Sequence, residues 1–149
     1  MSQLGLKFSE SSYYSQIINH HQQFRLPDFF WGNTISDDLI ALSGQDGITF
    51  LDTRTGNKIG SRIPNPHHCR YLIALSPDGK WIAIQGDNRP TLEIWDVKTC
   101  TCVKTIETKS QYAYQHITYS ADGAKIMTVT TFLQGTNLSI FFMSKLTNL

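Results

Sequence analysis

The sequence is short of several things, and each shortage closes a class of explanation. Only three of its 149 residues are cysteine: Cys69, Cys100 and Cys102. A sparse, odd set does not build the disulfide framework of a small secreted domain. No apolar run exceeds five residues, far below the about 20 that a membrane-spanning helix needs. The stretch from Met1 to Phe8 lacks the charged-then-apolar pattern of a secretory leader. A reducing, cytoplasmic setting is therefore expected, and Asn137-Leu138-Ser139 is read as a chance match to the glycan acceptor pattern. Charged residues make up 17% and the formal net charge is +1. No global field draws such a chain to nucleic acid or to an anionic membrane, so neither is an expected partner. Arg54, Lys58 and Arg62 read most simply as a solvated edge.

Catalytic signatures are missing too. The chain has no Gly-x-Ser-x-Gly elbow, no Gly-x-x-x-x-Gly-Lys phosphate loop and no His-Glu-x-x-His. Two histidine pairs, His20-His21 and His67-His68, stand out. Adjacent strand residues point to opposite faces, so a pair rarely supplies two metal ligands. Cys100 and Cys102 form a Cys-x-Cys. On a strand both thiols share a face, but the spacing falls short of a paired zinc motif. They are expected to be small buried apolar residues. Asp37-Asp38 is expected to be turn chemistry. The reading is of no catalytic residue, no metal and no small-molecule cofactor.

What is present is an ordinary globular composition, 40% hydrophobic and 11% aromatic, arranged as a repeat. Three segments align, beginning at Trp31, Tyr71 and His116, with anchoring serines Ser36, Ser76 and Ser120. The serines lie 40 and 44 residues apart. Each marks a strand, a tight turn and a second strand. Pro77 presets a turn, and Gly79 and Gly123 tolerate positive φ. A second block follows each turn: residues 48–56, 92–100 and 138–146. Apolar and polar positions alternate there as in a strand. Asp52 and Asp96 open the next turn, and a fourth strand is predicted over Lys58 to Ile63 and over Cys102 to Ile106. Four short strands every 40 to 46 residues are the period of a propeller blade. One such sheet cannot bury both faces alone, so blades stack face to face around an axis.

The stretches Ser76-Pro-Asp-Gly-Lys-Trp-Ile-Ala and Leu92-Glu-Ile-Trp-Asp-Val-Lys-Thr resemble the WD-repeat (WD40-like) β-propeller family. Phe50-Leu-Asp-Thr-Arg-Thr-Gly is similar to the related bacterial propeller repeats with a D-x-x-T-G turn. The middle unit carries the best match and the outer two are degenerate. The Gly-His that precedes the first strand in the family is absent. Ile84 stands where the family has Ser or Thr, and the Trp-Asp pair survives only as Trp95-Asp96. Packing of Leu51, Trp95 and Phe141 is expected to replace the family's hydrogen-bonded tetrad.

The predicted fold is all-β: a partial β-propeller of about three four-stranded antiparallel blades, at residues 29–63, 69–106 and 114–149. Residues 1–28 form a non-repeating N-terminal arm, a short helix or an irregular segment ended by Pro27. Propellers close with about four to eight blades. Three would be part of a longer propeller, half of a pair of copies, or the complement of another protein's blades. The resemblance implies a protein–protein interaction or scaffolding module without catalysis, working through a protein partner or self-association. It also leaves open part of a propeller hydrolase or dehydrogenase. The candidate binding surface is the loop face holding His67, Arg70, Arg89, Tyr112 and Tyr114, since Tyr and Arg are enriched at hot spots.

Overall fold

The computed structural model describes residue 23 and residues 30–64, 72–85, 91–107 and 116–143. The predicted arm apart from residue 23, the five candidate residues His67, Arg70, Arg89, Tyr112 and Tyr114, both histidine pairs and Cys69 lie outside the described residues.

The described chain is all-β: three antiparallel sheets in series, a partial β-propeller. The first sheet is β1 (Phe30–Ile35), β2 (Leu39–Gly44), β3 (Gly47–Asp52) and β4 (Ile63–Pro64). The second is β5 (Ile73–Leu75), β6 (Trp81–Gln85), β7 (Thr91–Asp96) and β8 (Thr101–Glu107). The third is β9 (His116–Tyr119), β10 (Lys125–Phe132) and β11 (Gly135–Phe142), three strands among the described residues. Each strand pairs with its sequence neighbour, as in a meander. The first strands β1, β5 and β9 lie side by side along the inner edge.

One turn builds the second and third sheets alike. Ser76 Oγ donates to Asp78 Oδ1 at 2.6 Å and accepts from the Trp81 N–H at 3.0 Å. Ser120 Oγ repeats this with Asp122 Oδ1 at 2.6 Å and the Lys125 N–H at 3.0 Å. Gly79 and Gly123 close the two turns at φ 68° and 70°, where a Cβ is disfavoured. The first sheet lacks this serine–carboxylate pairing. Its turn is two residues shorter, with the Ser36 N–H donating to the Leu39 carbonyl at 2.8 Å. Asp37 and Asp38 sit in it as expected of turn residues, and their backbone carbonyls accept from Thr53.

Asp52 and Asp96 open the second kind of turn. Asp52 Oδ1 accepts from the Arg54 and Thr55 amides, both at 2.8 Å, and Asp96 Oδ1 accepts from Thr99 N–H at 2.8 Å. The chain then needs a left-handed residue. Gly56 supplies it at φ 69°, and Cys100 takes the matching place at φ 53°.

Register makes the three sheets equivalent residue by residue. Ile40 pairs with Leu51, Ile82 with Trp95 and Ile126 with Phe141. Directly paired residues share a sheet face. The face toward the following sheet is here the leading face, and the opposite one the trailing face. Leading residues Ala41, Ile48 and Phe50 of the first sheet pack on trailing residues Ile73, Leu75, Ile82 and Ile84 of the second. Leading residues Ala74, Ala83, Leu92 and Ile94 of the second pack on Ile117 and Ile126 of the third. The middle sheet is thus covered on both faces. That is why β5 and β6 read as near-continuous apolar runs instead of alternating.

Two expectations need correction. The fourth strand predicted over Lys58 to Ile63 is reduced to β4 and a single bridge from Lys58 to Leu51. Gly60, at φ 61°, turns the backbone out of an extended conformation between them. Cys100 and Cys102 do not share a strand: Cys100 lies in the turn and Cys102 on β8. Neither is the buried apolar residue expected, Cys100 being half-buried and Cys102 exposed.

Thr128 gives a direct test of the stacking. It occupies the place of Leu42 and Ile84, on the trailing face of the third sheet. Its hydroxyl is buried at 1% residue exposure with no hydrogen-bond partner among the described residues. A buried unsatisfied hydroxyl costs about 1–3 kcal/mol. Thr128→Val is therefore expected to raise stability by about 1–2 kcal/mol, read as a higher urea midpoint at unchanged slope. A lower midpoint would mean that the hydroxyl has a partner.

Candidate interaction surface

Among the described residues the stacking leaves the two outer faces of the series without a neighbouring sheet, and the leading face of the third is the more exposed. By register, Met127 corresponds to Ala41 and Ala83, Leu138 to Ile48 and Leu92, and Ile140 to Phe50 and Ile94. In the first two sheets these are contact positions: Ile48, Leu92 and Ile94 are 0% exposed and Phe50 is 2%. In the third sheet Leu138 is 58% exposed and Ile140 51%. Phe142 extends the row on β11 at 68%. Met127 and Val129 lie beside them on β10, paired with Ile140 and Leu138. The sequence places apolar side chains where a following sheet would pack, and among the described residues no such sheet follows.

The alternation along β11 explains how one strand serves two faces. Phe141 points the other way and packs on the second sheet's core. Lys125 Nζ lies 5.8 Å from the Phe142 ring centroid, within reach of a weak cation–π contact. The row from Leu138 to Phe142 therefore ends in one positive charge.

The trailing face of the first sheet is the counterpart. Ile35, Ile40, Leu42 and Leu51 hold the places that Leu75, Ile82, Ile84 and Trp95 hold in the second sheet. Ile35 is 68% exposed, Ile40 and Leu42 are half-buried, and Leu51 is buried. Both ends of the series are thus apolar and carry opposite halves of the same contact.

Two concave features lie elsewhere among the described residues. The inner strands enclose an open groove of about 1090 Å³, lined by polar residues such as Asn33, Thr34 and Thr118 and by apolar ones such as Leu72, Ala74 and Ile117. A smaller apolar cleft of about 510 Å³ lies at the seam of the first two sheets, beside Ile59 and Trp81. Neither gathers a catalytic set. Among the described residues no three His, Cys, Asp or Glu side chains converge as a metal site. Burial, reinforced by the charge of Asp96, pushes the Cys100 thiol above its usual value, against a nucleophilic role. Burial likewise raises the Tyr119 hydroxyl, with the charge of Asp78 adding to it.

The basic residues singled out from sequence are partly neutralised. Arg54 pairs with Asp52 at 3.9 Å and Arg62 with Asp46 at 3.7 Å, Asp52 being half-buried and the other three exposed. Such pairs stabilise little, but they place carboxylates beside the arginines. Of the loop face, the β2–β3 turn at Gln45-Asp46 and the β10–β11 turn are described, and Leu133 in the latter is fully exposed. Trp95 Nε1 donates to Glu93 at 2.8 Å, a local contact on its own strand. The leading face of the third sheet escaped sequence reasoning. Its signal was there in the apolar Leu138, Ile140 and Phe142, which alternation alone assigns to a core.

No helix among the described residues is long and apolar enough to cross a membrane. No protein-family model matches the chain, and no curated protein matches it in sequence. Solved structures do match. Hydrazine synthase of Kuenenia stuttgartiensis superposes with a TM-score of 0.61 at 19% identity, over 86% of this chain. The match covers 36% of that chain, so this chain spans about a third of its length. The likeness is one of fold.

Proposed function

We propose that this chain is a non-catalytic protein-interaction module of the WD-repeat type, working in the cytoplasm, whose contact surface is the leading face of its third sheet. The observation that carries the reading is the exposure of Leu138 and Ile140 at positions buried in both preceding sheets. Clustered exposed apolar side chains mark interaction sites far more often than scattered ones do. A formal net charge of only +1 fits a contact made by apolar packing and not by electrostatic steering.

The test is photocrosslinking in living cells. A photoreactive amino acid at position 140 is expected to trap a protein chain, whether this one or another. The same group at Arg54, 80% exposed on a turn, serves as the control and is expected to trap little. Equal, sparse crosslinking at both positions would sink the reading.

A further inference from the structure

We propose that the occupant of this face is a second copy of the same chain, packed head to tail so that two copies close one six-sheet ring. This rests on the reading of the third sheet's leading face as a contact surface, and names its partner.

Three observations support the assignment. The first is continuity with an interface that the chain already makes twice. Ile48 and Phe50 meet Ile73, Leu75, Ile82 and Ile84 across the first seam. Leu92 and Ile94 meet Ile117 and Ile126 across the second. At a third seam the corresponding residues are Leu138 and Ile140 on one side and Ile35, Ile40 and Leu42 on the other. Both halves of the third seam exist among the described residues, one on the first sheet and one on the third, and both keep apolar side chains.

The second is backbone chemistry. Across the first seam the Leu75 N–H donates to Thr34 Oγ1 at 3.1 Å. Ile35 holds the place of Leu75, and Thr118 holds that of Thr34. A second copy docked in the same way presents its Ile35 N–H to Thr118. The second seam has Ala74 at this position, so the donor–acceptor pair of the first seam recurs only at the third.

The third is closure. Propellers hold about four to eight sheets. Two copies of the three described sheets make six, within that range. A two-fold axis along the ring centre then creates two identical seams, each joining one leading and one trailing face. The inner groove of each copy becomes half of a central channel.

Light scattering on the purified chain is expected to give twice its 16.9 kDa mass. Ile140→Lys breaks the leading face and Ile35→Glu the trailing face. Both positions are more than half exposed, so the single chain tolerates them. Each variant alone is expected to run as a monomer with unchanged circular dichroism. Mixing the two is expected to restore a dimer, because one seam then has both faces intact. If Ile35→Glu alone stays dimeric, the contact is face to face and the ring is wrong. If the unsubstituted chain is monomeric while position 140 still crosslinks to another protein, the second copy is excluded and the interaction reading stands. If the chain is monomeric and position 140 traps nothing, both fall.

Discussion

Phe50→Ala is expected to destabilise the chain by about 3–5 kcal/mol, and Ile94→Ala by about 2–5 kcal/mol. Ile140→Ala, at the equivalent position of the third sheet, is expected to change monomer stability by about 0.5 kcal/mol or less. The three side chains occupy one place in the repeat, yet Phe50 is 2% exposed, Ile94 0% and Ile140 51%. Truncating the first two removes buried methylenes and leaves cavities between sheets that cannot collapse, because strands on both sides are fixed by their own ladders. Truncating the third removes atoms that already meet solvent. Urea unfolding at concentrations where the chain is monomeric checks the order. A large loss at position 140 under those conditions would mean that the leading face of the third sheet is covered within one chain, and the interaction surface would then lie elsewhere. In the associated state the same variant is expected to weaken self-association, so its effect grows with protein concentration while those of Phe50→Ala and Ile94→Ala do not.

Much of this fold is legible before any coordinates. Ser76 and Ser120, each followed two residues later by an aspartate and three later by a glycine, specify a turn by local hydrogen bonding. Local chemistry of that kind reads directly from a sequence. The aspartates at 52 and 96 behave the same way. Three features were not legible, for different reasons. Cys100 adopts a left-handed backbone that its side chain disfavours, because the turn geometry set by Asp96 leaves no alternative. Cys102 is exposed on β8, the strand at the edge of its sheet, and a Cys-x-Cys spacing does not tell an edge strand from an inner one. The exposure of Leu138 and Ile140 is the third case. Alternation says that a strand face is apolar, but not whether a neighbour covers it; that depends on the number of sheets in the series. The loop residues from His67 to Tyr114 had no repeat or turn chemistry behind them, only residue type.

Ser76→Ala is expected to cost about 1–3 kcal/mol and to flatten the acid limb of the stability profile. Ser76 is 2% exposed, and its hydroxyl is bonded on both sides, to Asp78 and to the Trp81 amide. Alanine takes the side-chain acceptor from the Trp81 N–H and strips Asp78 of its shortest donor. The carboxyl of Asp78 feels two opposed effects. Burial raises it, but the Ser76 hydroxyl, the Lys80 amide and the Lys80 charge together outweigh burial and hold it below 3.8. Asp122 is lowered by the Ser120 hydroxyl and the Ala124 amide, and Asp52 by the amides of Thr55 and Arg54. A carboxyl whose folded value is depressed stabilises the fold above its unfolded value, and that contribution is lost as pH falls through the folded value. Stability is therefore expected to be flat with respect to these groups at neutral pH and to fall from about pH 4 downward. In Ser76→Ala the part of Asp78's lowering that Ser76 supplies is lost while the Lys80 contributions remain, so the gap between variant and parent is expected to narrow in acid. Parallel curves, with the same gap at pH 3 and pH 7, would show that Ser76 acts through its packing and its bond to the Trp81 amide and not through the carboxylate.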